Sequence, residues 1–166
     1  MSLNPAAHIS TFPLPPSVGV QQTLETIFPR SIMPTLHLII FKPIPMFPGT
    51  AHWGLFLPYD EGDADGLVYQ VKKQSFTSNK TEFNAQDFDP RLQSSEFSSC
   101  IALPEISIKH HILSGICYDI SQGRPFHLVN RNCRDWVGEV IEKLVIQLNM
   151  QTTEGERVIR RIKDMK

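Results

Sequence analysis

The stretch HLVNRNCRDWVGEVIEKL, residues 127–144, puts Cys133 where a link becomes a helix. Stepping back one turn from Val137 places Cys133 on the apolar stripe formed by Val137, Val140, Ile141, Leu144, Val145 and Leu148, so its side chain faces inward. Free N–H groups and the positive end of the helix dipole favour a thiolate there, and the thiolate is the reactive form of cysteine. The same N–H groups bind an oxyanion once a carbonyl is attacked. Asn132 suits the N-cap position. The alternative is a small buried hydrophobe, the usual fate of a free cysteine. Cys117, in mid-helix, and Cys100 carry only that second reading.

A thiol nucleophile needs a base. Of six histidines, His8 lies in an N-terminal arm, His110 and His111 open a helix and point to solvent, and His127 sits in the link before Cys133. His37 and His52 fall on strands. His52 is the candidate, because small Ala51 and Gly54 beside it leave room for a substrate while Trp53 anchors the opposite face. A catalytic imidazole must also be oriented by an acceptor for its second ring N–H. Gln70, polar within an apolar strand that would pair with the His52 strand, is the candidate; a solvated edge residue is the other reading. Trp53, Gly54, Asn132 and Trp136 are expected to bind substrate around the pair.

Several elements must hold these residues. Residues 1–34 carry six prolines and read as an extended arm in which TLETIF forms a helical turn. TLHLIIFKP (35–43), AHWGLFLPY (51–59) and LVYQVKKQSF (67–76) read as strands, the last two joined across the acidic turn DEGDADG. That turn lacks the calcium-loop spacing and reads as solvated. Residues 77–97 read as an irregular excursion pinned by phenylalanines, and SCIALPEI (99–106) as a short strand. A helix follows with Ile108, Ile112, Ile116 and Ile120 at helical spacing and Gly123 as its stop. The Cys133 helix runs to Asn149, and TEGERVIRRIKDMK forms a basic helix. The domains expected are an arm over 1–34, a catalytic domain over 35–150 and a C-terminal helix over 151–166. The fold class is α+β, an antiparallel sheet of four to six strands with the Cys133 helix packed on it.

The order AHWGLFL, GLVYQV, then a helix and a link into NRNCRDWV resembles the permuted papain-like (NlpC-type) cysteine enzymes. It is most similar to the lecithin retinol acyltransferase-like group and more distantly to the PPPDE isopeptidases, over residues 35–149. That group has His-Trp on a strand, a second His on the next strand and Asn-Cys-Glu-His-Phe at a helix start. The resemblance implies His52 as general base, Cys133 as nucleophile and Gln70 in the place of the second histidine, since GLVYQV parallels Gly-aromatic-Val-x-His-Val. It implies acyl transfer through a thioester and no cofactor. Three features depart from the group: Gln70 itself, Arg134-Asp135 in place of Glu-His, and a charged helix where a membrane anchor would stand. The group's phospholipid substrate is therefore not carried over.

The function expected is a thiol hydrolase or acyltransferase acting on an amide, ester or thioester of a small molecule or peptide, in the cytoplasm. Two rivals stand beside it: a non-catalytic interaction module whose triad has decayed to Gln70 and whose proline-rich arm recruits a partner, and an isopeptidase-type thiol protease. Zinc held by His52, Cys133 and another histidine lacks any ligand spacing. Sixteen basic and 17 acidic side chains, net −1, give no field for nucleic acid or anionic lipid. No apolar run reaches about 18 residues, so stable membrane insertion is not expected. Three sparse cysteines without a pair fit a reducing compartment.

Overall fold

The computed structural model describes residues 33–43, 51–75, 78–93, 95, 97–127 and 132–165. The N-terminal arm, its TLETIF turn and most of the proline-rich connection after Pro43 lie outside the described residues.

Five strands and three helices follow in order: β1 (Thr35–Phe41), β2 (His52–Pro58), β3 (Gly66–Lys73), β4 (Thr81–Phe88), β5 (Phe97–Ser107), α1 (His110–Ser121), α2 (Cys133–Gln147) and α3 (Thr152–Asp164). The strands form one antiparallel sheet in the order β4-β3-β2-β1-β5. The chain is therefore α+β, as its pattern of strands followed by helices implies.

Alternation along β2 sorts the sheet into two faces. Trp53, Leu55 and Leu57 join Leu36, Leu38, Tyr69 and Val71 in the main core, which the buried faces of α1 and α2 complete. On the other face Ile39, Phe56, Val68 and Phe88 form a second cluster, with Phe41 and Phe97 packed against it. Val158 and Ile162 of α3 belong to the main core, so the C-terminal helix is part of the same unit rather than a separate appendage.

Sequence punctuation explains the helix ends. Gly123, at φ 66°, takes the left-handed conformation that ends α1 without a Cβ penalty. Asn149, at φ 49°, does the same after α2. There the Asn149 N–H donates to the Ile146 carbonyl and the Met150 N–H to the Val145 carbonyl, each at 3.1 Å, the paired bonds of a Schellman motif.

Two expectations fail. The region after Ser78 is not an irregular excursion, because Thr81–Phe88 pairs with β3 along its length, from Lys73↔Thr81 to Gly66↔Phe88. Its outer sequence is polar because β4 is an edge strand. Phe83 and Phe88 are five residues apart and so serve opposite faces, Phe83 beside Tyr69 and Trp136 and Phe88 beside Phe41 and Phe56. The segment expected as a short strand is the 11-residue β5, and Pro104 is tolerated in it because β5 is the other edge.

Candidate active site

Cys133 is the first residue of α2, and its N-terminus is a complete capping box. The Asn132 side chain accepts from the Arg134 N–H at 2.9 Å and the Asp135 N–H at 3.3 Å, while the Asp135 carboxylate accepts from the Asn132 N–H at 3.1 Å. Asp135 also places a negative charge where the helix dipole favours one. Asn132 thus shapes the helix start.

The sulfur reaches the sheet at the beginning of β2. The β2–β3 ladder runs from Gly54↔Gln70 to Pro58↔Gly66, and just outside it the Trp53 N–H donates to Cys133 Sγ at 3.3 Å. The thiol in turn faces the Ala51 carbonyl at 3.9 Å. Cys133 therefore lies against the peptide groups on both sides of His52, while remaining 7% exposed.

His52 and Gln70 meet on the other side of the strand. His52 pairs with Phe41 across β1 and their rings lie 5.5 Å apart, which places the imidazole on the second-cluster face. Its Nε2–H donates to Gln70 Oε1 at 2.7 Å. Gln70 is 3% exposed, so its solvated-edge reading is excluded. With Nε2 carrying the proton, Nδ1 keeps its lone pair. Among the described residues no hydrogen bond joins His52 to Cys133: the imidazole lies on one face of the sheet, and the sulfur meets the main chain on both sides of His52 from the other.

Electrostatics sets both groups neutral. Burial pushes the Cys133 thiol up, against smaller downward pulls from the N–H groups of Trp53, Arg134 and Cys133 itself and from the Arg134 charge. Burial lowers the His52 pKa, the Gln70 hydrogen bond raises it less, and the Lys72 charge lowers it further. His37 is lowered as well, chiefly by burial. Both histidines thus bind protons more weakly folded than unfolded, where the value is about 6.5. Their stabilising contribution is complete above that pH and is lost as the pH falls toward the folded values. The melting temperature is expected to drop between about pH 7 and 5, and His52→Gln should flatten part of that drop in a thermal-melt series.

Of the residues expected to bind substrate, Trp136 and Gly54 have their surroundings filled by the protein itself. Trp136 is 0% exposed, its indole N–H donates to Ser121 Oγ at 3.0 Å, and it offers a substrate no surface. Trp53 is 1% exposed and lies in the same core. Gly54 leaves no space beside the imidazole. A Cβ there would stand 3.0 Å from the Tyr69 carbonyl oxygen and 3.4 Å from Ile39 Cγ2, so its smallness serves the close approach of β3.

His110, expected in solvent, is half-buried instead. The Tyr69 hydroxyl donates to its Nδ1 and its Nε2–H donates to the Pro58 carbonyl, each at 2.8 Å, which ties the start of α1 to the sheet. His111 and His127 are exposed and Cys117 is buried. The sequence reading also missed Arg124, whose side chain is 5% exposed. Its Nε and Nη2 donate to the two Glu139 carboxylate oxygens at 3.1 and 3.0 Å, fastening the segment after α1 to α2. No local spacing signals a pair fifteen residues apart across a link.

Among the described residues no group of three His, Cys, Asp or Glu side chains converges to hold a metal, and no helix is long and apolar enough to cross a membrane. No curated protein and no solved structure matches the chain significantly. One family model does match, over residues 37–150, a span that runs from within β1 through α2 and includes Cys133, His52 and Gln70. The chain belongs to that family, DUF6540, a family of unknown function.

Proposed function

We propose that this protein is a cysteine-dependent acyl-transfer enzyme with a permuted papain-like arrangement, in which Cys133 is the nucleophile, His52 the base and Gln70 the residue that orients the base. One observation carries the reading: the sulfur sits at a fully capped helix N-terminus against the peptide groups flanking a histidine whose far nitrogen is held at 2.7 Å by a buried glutamine. A core cysteine needs only apolar neighbours, and a surface histidine needs no buried partner.

In the first step the thiol gives its proton to His52 Nδ1 as sulfur bonds to the carbonyl carbon of an ester, thioester or amide. The His52 side chain turns toward the sulfur at the end of β2, a movement in keeping with active-site hydrogen bonds that tighten only when substrate binds. The Cys133 backbone N–H at the start of α2 stabilises the oxyanion. The leaving group departs with the proton from His52, and a thioester remains on Cys133. Water or an acceptor amine or hydroxyl then loses a proton to His52, attacks the thioester, and the thiol is restored by the same proton.

The test is intact-mass analysis during reaction with p-nitrophenyl acetate. A single acetyl adduct on Cys133, formed in a burst and absent from Cys133→Ala, is expected. An adduct confined to exposed Cys100, or none on the folded protein, would overturn the reading in favour of a binding module.

A further inference from the structure

Arg134 sits where its charge is locally unfavourable, in the first turn of α2 beside the positive end of the helix dipole. Residues that break a local rule are expected at functional or strained positions. The compensation at Arg134 is not an ion pair. Among the described residues the nearby acids are committed elsewhere: Asp135 to the capping box, Glu139 to Arg124 and Glu142 to Lys163. The Arg134 guanidinium lies instead over the Trp53 ring, 4.8 Å from its centre, held in place without being neutralised.

The same tryptophan carries a second anomaly. Trp53 is 1% exposed and its indole Nε1–H has no hydrogen-bond partner among the described residues, whereas the indole of Trp136 is satisfied by Ser121. A buried unpaired donor is costly and rare. Trp53 therefore connects three things: its main-chain N–H meets the Cys133 sulfur, its ring carries a fixed cation, and its indole N–H awaits an acceptor.

We propose that Arg134 and the Trp53 indole N–H together receive a carboxylate of the substrate beside Cys133, so that the substrate is an acyl compound bearing a free carboxylate near its scissile bond. The guanidinium fork matches the two oxygens of a carboxylate, and the indole N–H satisfies one of their remaining lone pairs. This rests on the acyl-transfer reading for the word substrate, but the anion site itself does not.

The experiment separates the two. The chain has two tryptophans, so a 15N-labelled Cys133→Ser protein gives two indole N–H resonances, with Trp136 as internal reference. Titration with succinate is expected to move the Trp53 resonance and leave Trp136 in place. Succinamide should move neither, and Arg134→Gln should abolish the succinate response. No response to succinate, or an equal response to succinamide, overturns the proposal. In parallel, wild-type protein is expected to prefer mono-p-nitrophenyl succinate over p-nitrophenyl butyrate by about tenfold or more in kcat/KM, the preference collapsing in Arg134→Gln and partly returning in Arg134→Lys. Equal use of both esters overturns the substrate assignment. Turnover of neither ester, with the indole response intact, overturns the acyl-transfer reading and leaves an anion-binding site.

Discussion

His52→Ala is expected to slow acylation of Cys133 by roughly 10²- to 10⁴-fold, the range supplied by a positioned general base. The pH profile carries more information than the size of the loss. Burial raises the thiol and lowers the imidazole, so the resting pair is thiol and neutral imidazole and not an ion pair. The acylation rate should then rise as His52 loses its proton, below the ordinary value of about 6.5, and hold level through neutrality. It should climb again only where the thiol itself ionises, above the ordinary free-thiol value of about 8.5. Loss of the acid limb in His52→Ala, measured by stopped-flow release of p-nitrophenol, is the expected signature. An alkylation rate that is already maximal near pH 5 would instead indicate a preformed thiolate. Gln70→Leu should reduce the rate and Gln70→His should retain more of it, since His can again accept the Nε2 proton.

The second large effect is on stability. Trp136 is packed against Phe83 and bonded to Ser121 within the helix-facing core, and truncating a buried aromatic of this size to alanine costs about 3–5 kcal/mol. For a chain of this length the melting temperature should fall by roughly 10 °C or more. A substrate-contacting tryptophan would behave in the opposite way, raising KM with little change in melting. Differential scanning fluorimetry beside steady-state kinetics separates the two, and a stable variant with a raised KM would return Trp136 to the substrate site.

Much of the fold can be read from local chemistry. Strands β1 to β3 alternate or run apolar, and the three decisive punctuation residues, Gly123, Asn132 and Asn149, each act by a mechanism internal to a few residues. β4 escapes such reading because TEFNAQDF buries little and is held by main-chain pairing with β3, a non-local event. Cys133 is legible as a helix-start residue from its stripe and its cap. That its sulfur takes up the Trp53 N–H is not, because this depends on where the β2–β3 ladder stops. Gly54 illustrates the same limit: its size is visible in the sequence, but whether the vacancy belongs to a ligand or to a neighbouring strand is decided by register. Trp136 shows a related limit, since an aromatic near a cysteine looks the same in sequence whether it faces a ligand or the core.

The two-sided placement of β2 has a consequence for how His52 is kept in register. A slip of one residue in this strand would carry His52 to the helix-facing core and Trp53 to the second-cluster face, exchanging every side chain between faces. Trp53, Leu55 and Leu57 oppose that slip because they pack with the buried faces of α1 and α2. The apolar residues thus act as a parity check on His52: any variant that preserves the core also preserves which side of the sheet presents the imidazole. The placement of the imidazole relative to the thiol thus follows from folding itself.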